Sequence, residues 1–349
     1  MGISKGNRDR AKWASPAILS LLLWTFTLSV WVGAQFPTVM PPSEPETIYL
    51  GPSEPVTLPE IPASGTEPES AAESAAGLAP SLLIAPPVRP GAFQRLIAHH
   101  SWLAPGGAEE LGFFQWEVKS VWGAPFPDLR RPLVLTPGFA VYFLEGPEVT
   151  DLPPRLYEAY LQLRWLPTLS ERWKIDLGLT PGLCGDFAFV DSSTFRLPAH
   201  AVAVFQWKPT LILSFGAAYL DREDVGVVPV AGLVWQPSRD WVFELLMPRP
   251  RVARQIQWFL LDRPEAENWL YVAGEFGGGT WSVERATGTR DVATYRDFRL
   301  LVGIEQKAAY RLSWRLEGGY VFGRKLTFED DSTKLRPGDT ALIRLSLSY

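Results

Sequence analysis

Residues 310–322 read Tyr310-Arg311-Leu312-Ser313-Trp314-Arg315-Leu316-Glu317-Gly318-Gly319-Tyr320-Val321-Phe322. Tyr310, Leu312, Trp314, Leu316, Gly318, Tyr320 and Phe322 share one parity. Arg311, Ser313, Arg315, Glu317 and Gly319 take the other. Successive side chains of a strand point to opposite faces, so a period of two makes this a strand with one apolar and one charged face. The same alternation recurs upstream. Tyr157, Ala159, Leu161, Leu163 and Trp165 oppose Glu158, Tyr160, Gln162 and Arg164; Trp173, Ile175, Leu177 and Leu179 oppose Lys174, Asp176 and Gly178; Phe298, Leu300, Val302 and Ile304 oppose Asp297, Arg299 and Glu305.

Two architectures produce this pattern. A soluble sandwich turns the apolar face inward and the charged face to water. A membrane barrel turns the apolar face to lipid and the charged face to a lumen. Three further features favour the barrel. The chain ends on an alternating run, Ala341, Ile343, Leu345, Leu347 and a final aromatic, Tyr349. This resembles the C-terminal strand signal that the barrel-assembly machinery reads, carried by Ile343, Leu345, Leu347 and Tyr349. Next, Trp165-Leu166-Pro167, Trp207-Lys208-Pro209 and Trp235-Gln236-Pro237 each close an alternating run, and Trp173 and Trp241 open the next. Trp165, Trp173, Trp207, Trp235 and Trp241 suit an interfacial girdle, where a ring is half in lipid and half wet.

The third feature is topology. Strands are expected near 93–103, 111–122, 133–144, 155–166, 171–184, 199–208, 210–220, 227–236, 240–247, 251–261, 268–282, 294–306, 309–322 and 339–349. The expected fold class is all-β, an antiparallel up-and-down transmembrane barrel of about 14 strands, or 12 without the first hairpin. If the C-terminus is periplasmic, all three Trp-x-Pro turns fall on the periplasmic side. The long polar connections 184–198, 283–293 and 323–338 fall on the outer side, as barrels require. Arg254 and His100 sit on the lipid parity, Arg254 towards the outer end.

The remainder of the chain is of another kind. Residues 1–34 read as a signal peptide: a basic segment with Lys5, Arg8, Arg10 and Lys12, an apolar run from Ala17 to Val32, then small residues before a cut after Ala34. An uncleaved anchor is the alternative reading. Residues 35–92 form a Pro- and Glu-rich linker, with 13 Pro and seven Glu between 36 and 90. Such a segment cannot bury enough apolar surface to offset its ordering entropy and reads as disordered or polyproline II. It would lie in the periplasm, as a spacer or as a docking arm for a periplasmic partner. The barrel domain is then 93–349.

Composition narrows the chemistry. The 349 residues carry a net charge of −5, one Cys and three His. A single Cys excludes a disulfide scaffold within the chain, the supply of His and Cys argues against a zinc site, and the net charge argues against general nucleic-acid binding. No cofactor and no metal are expected, and no enzyme: Asp191, Ser192, Ser193 and His200 show no spacing that brings them together, and no Gly-x-Ser-x-Gly elbow appears in 93–349. Gly277-Gly278-Gly279 lacks the Lys-Ser/Thr of a phosphate loop and reads as a strand bend. The acidic loop residues Asp221, Glu223, Asp224, Glu329, Asp330 and Asp331 lack calcium-hand order and read as solvated. Cys184 reads as a bystander at a strand end. The functional candidates are the charges on the lumen parity: Glu117, Lys119, Glu158, Arg164, Lys174, Asp176, Glu244, Glu275, Arg299, Glu305, Arg311, Arg315, Glu317 and Arg344. Lining water, they would set solute selectivity; paired across the interior, they would plug it.

Several stretches carry a family likeness: Leu135-Thr136-Pro137-Gly138-Phe139, Asp151-Leu152-Pro153-Pro154, Arg164-Trp165-Leu166-Pro167, Trp269-Leu270-Tyr271-Val272-Ala273-Gly274-Glu275-Phe276-Gly277-Gly278-Gly279, Thr294-Tyr295-Arg296-Asp297 and Gly319-Tyr320-Val321-Phe322-Gly323-Arg324. Together they resemble a domain-of-unknown-function family of predicted bacterial outer-membrane β-barrel proteins, over roughly 93–349. The resemblance implies a location, contact with outer-membrane lipid and with the assembly machinery, and no known activity. The expected function is a passive porin-like channel for small polar solutes or ions. A non-conducting structural or surface-interaction barrel and a soluble secreted sandwich are the alternatives.

Overall fold

The computed structural model describes residues 91–105, 111–126, 132–146, 150–222, 226–257, 266–308, 311–330 and 334–349. The signal peptide and nearly all of the linker lie outside the described residues. The strands are β1 (Phe93–Leu103), β2 (Gly112–Pro125), β3 (Pro132–Glu145), β4 (Arg155–Trp165), β5 (Trp173–Leu179), β6 (Gly182–Gly185), β7 (Phe195–Arg196), β8 (Ala199–Lys208), β9 (Leu211–Tyr219), β10 (Val227–Ser238), β11 (Trp241–Leu246), β12 (Arg251–Ile256), β13 (Ala266–Glu284), β14 (Arg290–Ala308), β15 (Ser313–Phe328), β16 (Lys334–Leu335) and β17 (Thr340–Ser348). Each long strand pairs antiparallel with its sequence neighbours, and β1 pairs with β17 from Ile97↔Ser348 to Leu103↔Leu342. The sheet therefore closes. With β5 and β6 as two pieces of one crossing and β7 and β16 as short outliers, the barrel has 14 strands. The 12-stranded count is set aside, because β1 is the strand that closes the ring.

The faces follow the parity rule. Leu300 and Val302 on β14 are 53% and 54% exposed, while Arg299, Leu301 and Glu305 between and beside them are buried. On β17 Ile343 faces out and Leu342 and Arg344 face in. The apolar face is the outer one, which overturns the sandwich alternative: this is a barrel of the transmembrane type. Trp173, Trp207, Trp235 and Trp241 are exposed, and Trp165 half-buried, at the end of the barrel that also holds Phe93 and Tyr349 (the terminal end). Trp122 joins them, 5.4 Å from Phe93.

Four local readings change. The stretch 171–184 is split, because Pro181 has no N–H to give the ladder; its carbonyl instead accepts from Leu161 at 2.9 Å. Residues 283–293 are not a long loop: β13 and β14 stay paired through Glu284↔Arg290, leaving a tight turn at 285–289. Residues 323–328 likewise continue β15. Arg254 pairs with Trp241, at the terminal end and not the outer one, and its guanidinium sits 5.4 Å from the Trp241 ring. His100 does face outward, and lies between Phe114 and Trp116 at 6.4 Å from each.

Candidate functional site

The site is the lumen, and it is packed in two layers. Across the middle runs a layer of buried ion pairs. Glu275 on β13 accepts from Arg299 at 2.7 Å and from Arg344 at 2.9 and 3.1 Å. Glu317 on β15 accepts from Arg249 at 2.8 Å, from the Tyr271 hydroxyl at 2.7 Å and from Arg344 at 3.2 Å. Arg299 also donates to Asp297 at 2.8 Å. Nearer the terminal end, Glu305 accepts from Arg251 at 2.7 Å and Arg315 at 3.1 Å. Beside the β4–β5 wall, Arg164 donates to both oxygens of Asp176, at 2.8 and 3.0 Å, and His200 Nε2 lies 3.2 Å away. Alternating acid and base in one layer offsets the cost of desolvating each charge.

Most of the sequence-predicted charges lie in or beside this interior. Glu117, Lys119, Glu158, Asp176, Glu244, Glu275, Arg299, Glu305, Arg315, Glu317 and Arg344 are buried, and Arg164 is half-buried. Lys174 and Arg311 are exposed and lie at the terminal end, so neither belongs to the packed layer. Glu117 accepts from the Tyr160 hydroxyl, and Glu158 from the Trp281 indole at 2.9 Å. The network also uses residues the sequence did not single out. Asp297 and Tyr271 share the lumen parity, so that signal was available. Arg249 sits in the turn Met247-Pro248-Arg249-Pro250, where no alternation could point to it. The residues weighed for hydrolysis do not converge: His200 is with Asp176, while Ser193 Oγ is 2.5 Å from Asp191 and 3.0 Å from Ser282.

Beyond the charged layer the packing is apolar. Phe113 on β2 meets Tyr295 on β14 edge-on at 5.9 Å, and Tyr142 on β3 meets Trp281 on β13 at 5.4 Å. These contacts cross the lumen. The cavity left among Leu111, Phe113, Tyr142, Leu156, Trp281 and Tyr295 is only about 20 Å³, the size of a single water.

The crossing is made by the tip of the β13–β14 hairpin. Below Asp297, β14 alternates between exposed and buried positions; from Asp291 to Tyr295 every residue is buried. On β13, Thr280 to Val283 are all buried. One face of the tip holds Trp281, Ala293 and Tyr295 against β2–β4. Just below the tip, on the other face, Phe276 packs against a buried cluster that includes Val202, Val230 and Leu246, from β8, β10 and β11. The tip thus stands inside the mouth with a wall on each side, and Ser282 pairs with Gly185 of β6.

A line of kinks takes it there. Gly278 has φ +113°, and a Cβ at that position would meet the Tyr295 carbonyl oxygen at 2.0 Å. Its partner is Arg296, where the β14–β15 register slips before Phe298, and Gly323 in β15 has φ +62°. The Gly-rich stretch is a strand bend. Outer loops then hold the turn. Asp151 accepts from Arg285 Nε at 2.5 Å and from the Ala286 N–H at 2.8 Å; Arg285 also donates to Asp291 at 2.8 Å. Asp186 accepts from the Glu284 N–H at 2.7 Å, and Asp191 from Arg290 at 3.2 Å. Burial pushes the Asp151 carboxyl up, but the Ala286 N–H and the Arg285 guanidinium outweigh it and hold the group below its ordinary value. The Ser193 hydroxyl and N–H do the same for Asp191.

A family model described as Domain of unknown function (DUF6268) matches residues 146–335. No curated protein matches the chain. Similar solved structures include the KdgM porin, at 7% identity and a TM-score of 0.33 over 73% of this chain and 98% of that one. The NanC porin follows at 7% and 0.35, over 73% and 98%. A TodX monoaromatic hydrocarbon channel mutant stands at 10% and 0.34, over 77% and 93%. Likeness at this level names neither a solute nor a route.

Proposed function

The chain belongs to the family described as Domain of unknown function (DUF6268), and from that premise we propose an outer-membrane barrel that is a channel closed at rest, its plug the β13–β14 tip. The outward apolar band and the Trp belt support the membrane location, with the linker on the periplasmic side. One observation carries the gating. The plug is the end of β13 and β14, with the end of β15 still paired to it from Arg296↔Lys325 to Ala293↔Phe328, bent in along Gly278, the Arg296–Phe298 slip and Gly323, and latched by ion pairs without any covalent tie. Withdrawn, it would leave the ion-paired layer facing water; that layer would have to part as well, and both signs of its charge would then serve small ions or polar solutes.

The test uses the full chain in planar bilayers. Ser193 Oγ and Ser282 Oγ are 3.0 Å apart across the loop–tip contact, so Ser193→Cys with Ser282→Cys, in a Cys184→Ser background, should lock the tip by a disulfide. Expected are stepwise currents under reducing conditions that vanish on oxidation and return with reductant. Silence in both redox states, with the barrel folded, would overturn the channel and leave the non-conducting structural barrel.

A further inference from the structure

The mouth at the terminal end of the ring is basic. Arg95, Lys174 and Lys307 lie there on the lumen parity, exposed or half-buried. Arg95 pairs with Val121 and Lys174 with Val204, and both Val side chains are buried on the inner face. Lys307 pairs with Glu267 and lies 3.9 Å from Glu305, a carboxylate already shared by Arg251 and Arg315. Arg172, Lys208, Arg239 and Arg311 are exposed in or beside the turns of the same end. Outside the ion-paired layer, the carboxylates described at this end are Glu171, Asp240 and Glu267. Cations therefore outnumber acids there by more than two to one. Residues 127–131 and 258–265, outside the described residues, add three charges of each sign and leave that excess unchanged.

The chain arrives at this mouth from an acidic stretch. Between 36 and 90 it has seven Glu, and Arg89 is its one cation. Three of the Glu fall together in Thr66-Glu67-Pro68-Glu69-Ser70-Ala71-Ala72-Glu73-Ser74. The chain joins the wall at Gly91 and Ala92, whose carbonyls accept from Gln94 Nε2 and from the Gly123 N–H, at 2.7 Å each. Its point of attachment is thus the rim of the basic mouth. From Glu73 to Gly91 is 18 residues, with Arg89 the one charge between them. At about 3.1 Å per residue they extend to about 55 Å. Fourteen strands about 4.8 Å apart make a ring roughly 20–30 Å across, so the Glu cluster can reach every side of the mouth. A tether of this kind holds it at an effective concentration that a free acidic peptide matches only in the millimolar range.

We propose that residues 66–74 dock on the terminal mouth of their own barrel, with Glu67, Glu69 and Glu73 set against its cations, Arg172 and Lys174 among them. Phospholipid headgroups are the competing anions. They surround the ring, whereas Arg95, Lys174 and Lys307 are turned to its inside. Arg254, the cation that does face outward at this end, lies over the Trp241 ring. A separate acidic protein would bring the same chemistry without the advantage of the tether. The inference rests on the closed barrel and the charge at its mouth, and not on gating at the other end.

The test uses the full chain in liposomes of phosphatidylethanolamine, in a Cys184→Ser background. Nitroxide labels go on Ser74→Cys and on Ser238→Cys in the exposed β10–β11 turn, and pulsed electron paramagnetic resonance reads the distance between them. At about 0.05 M salt the distance distribution should be at least twofold narrower than in a variant carrying Glu67→Gln, Glu69→Gln and Glu73→Gln. At about 1 M, where charges are screened beyond about 3 Å, the two should coincide. Arg172→Gln with Lys174→Gln should broaden the distribution as the Gln segment does. Neither set of changes touches a buried side chain, and a retained heat-dependent gel shift checks that the barrel is intact. A parent distribution as broad at low salt as that of the Gln variant would overturn the docking. A narrow distribution that is lost when anionic phosphatidylglycerol enters the liposomes would overturn it as well, and would give the mouth to lipid headgroups.

Discussion

Strands β9 and β14 begin from one rule and end in different surroundings. Along β9, Phe215 and Tyr219 stay exposed while Ser214 and Ala218 stay buried, so one face meets lipid from end to end. β14 obeys the same alternation up to Asp297 and then loses it, because its upper part has left the wall and both its faces are covered. The difference does not come from hydrophobicity. Thr294 and Val292 are buried in β14 at 2% and 5%, and either would be ordinary on an outer rim. It comes from the neighbours: β9 has a full-height strand on each side, and β13, next to β14, has only the short β12.

The largest way to break this contrast is through the charged layer that both regions share. Arg344→Met leaves Glu275 and Glu317 each short of a buried partner, and stranding a buried charge costs about 3–5 kcal/mol. The variant should fail to assemble or should lose its heat-resistant form at much lower temperature, read by gel shift. Equal stability of variant and parent would mean that the layer is hydrated and weak. Next comes Gly278→Val, which forces a β-branched side chain into a φ that strains it by about 1–3 kcal/mol and into the Tyr295 carbonyl. The tip should then be displaced while β9 is untouched. Limited proteolysis should cut near 285–289 in the variant only, and an uncut variant would show that the bend is not what seats the tip.

A smaller effect is expected at the latch. The Asp151 carboxyl is held below its ordinary 3.8 by its partners, so its contribution is fully present above that value and is lost as pH falls through the lowered one. At neutral pH, Asp151→Asn should raise the frequency of channel openings several-fold. In the parent, openings should be independent of pH between 5 and 8 as far as Asp151 is concerned. An unchanged opening rate in Asp151→Asn would remove the latch from the account. The smallest effect is at the belt: Arg254→Ala removes a guanidinium over Trp241, a contact of about 0.5–1 kcal/mol at an exposed site. Urea unfolding in detergent should show a loss of that size, and a loss of several kcal/mol would mean that Arg254 also holds the β11–β12 turn.

Much of the barrel was legible in the residues. A lipid face and a lumen face leave a period of two along the strands that stay in the wall, and Trp with Pro marks where strands stop. The charge set Glu117, Glu275, Arg299, Glu317 and Arg344 could be read from parity alone. Arg249 could not, since it reaches Glu317 from a turn. Nor could the tip: parity says which side a residue faces, but not whether another wall stands on that side.

The sequence by itself determined the strand period, the two faces and the kind of group in the interior, because these depend on local alternation and on what each face must touch, while the count of 14 over 12 and the closure came from the β1–β17 pairing. Only the tertiary structure decided whether the interior is open or filled. That depends on contacts such as Glu158 with Trp281, 123 residues apart, and on the height of one short hairpin. A pairing between distant strands leaves no period in the chain, so nothing short of the assembled barrel could display it.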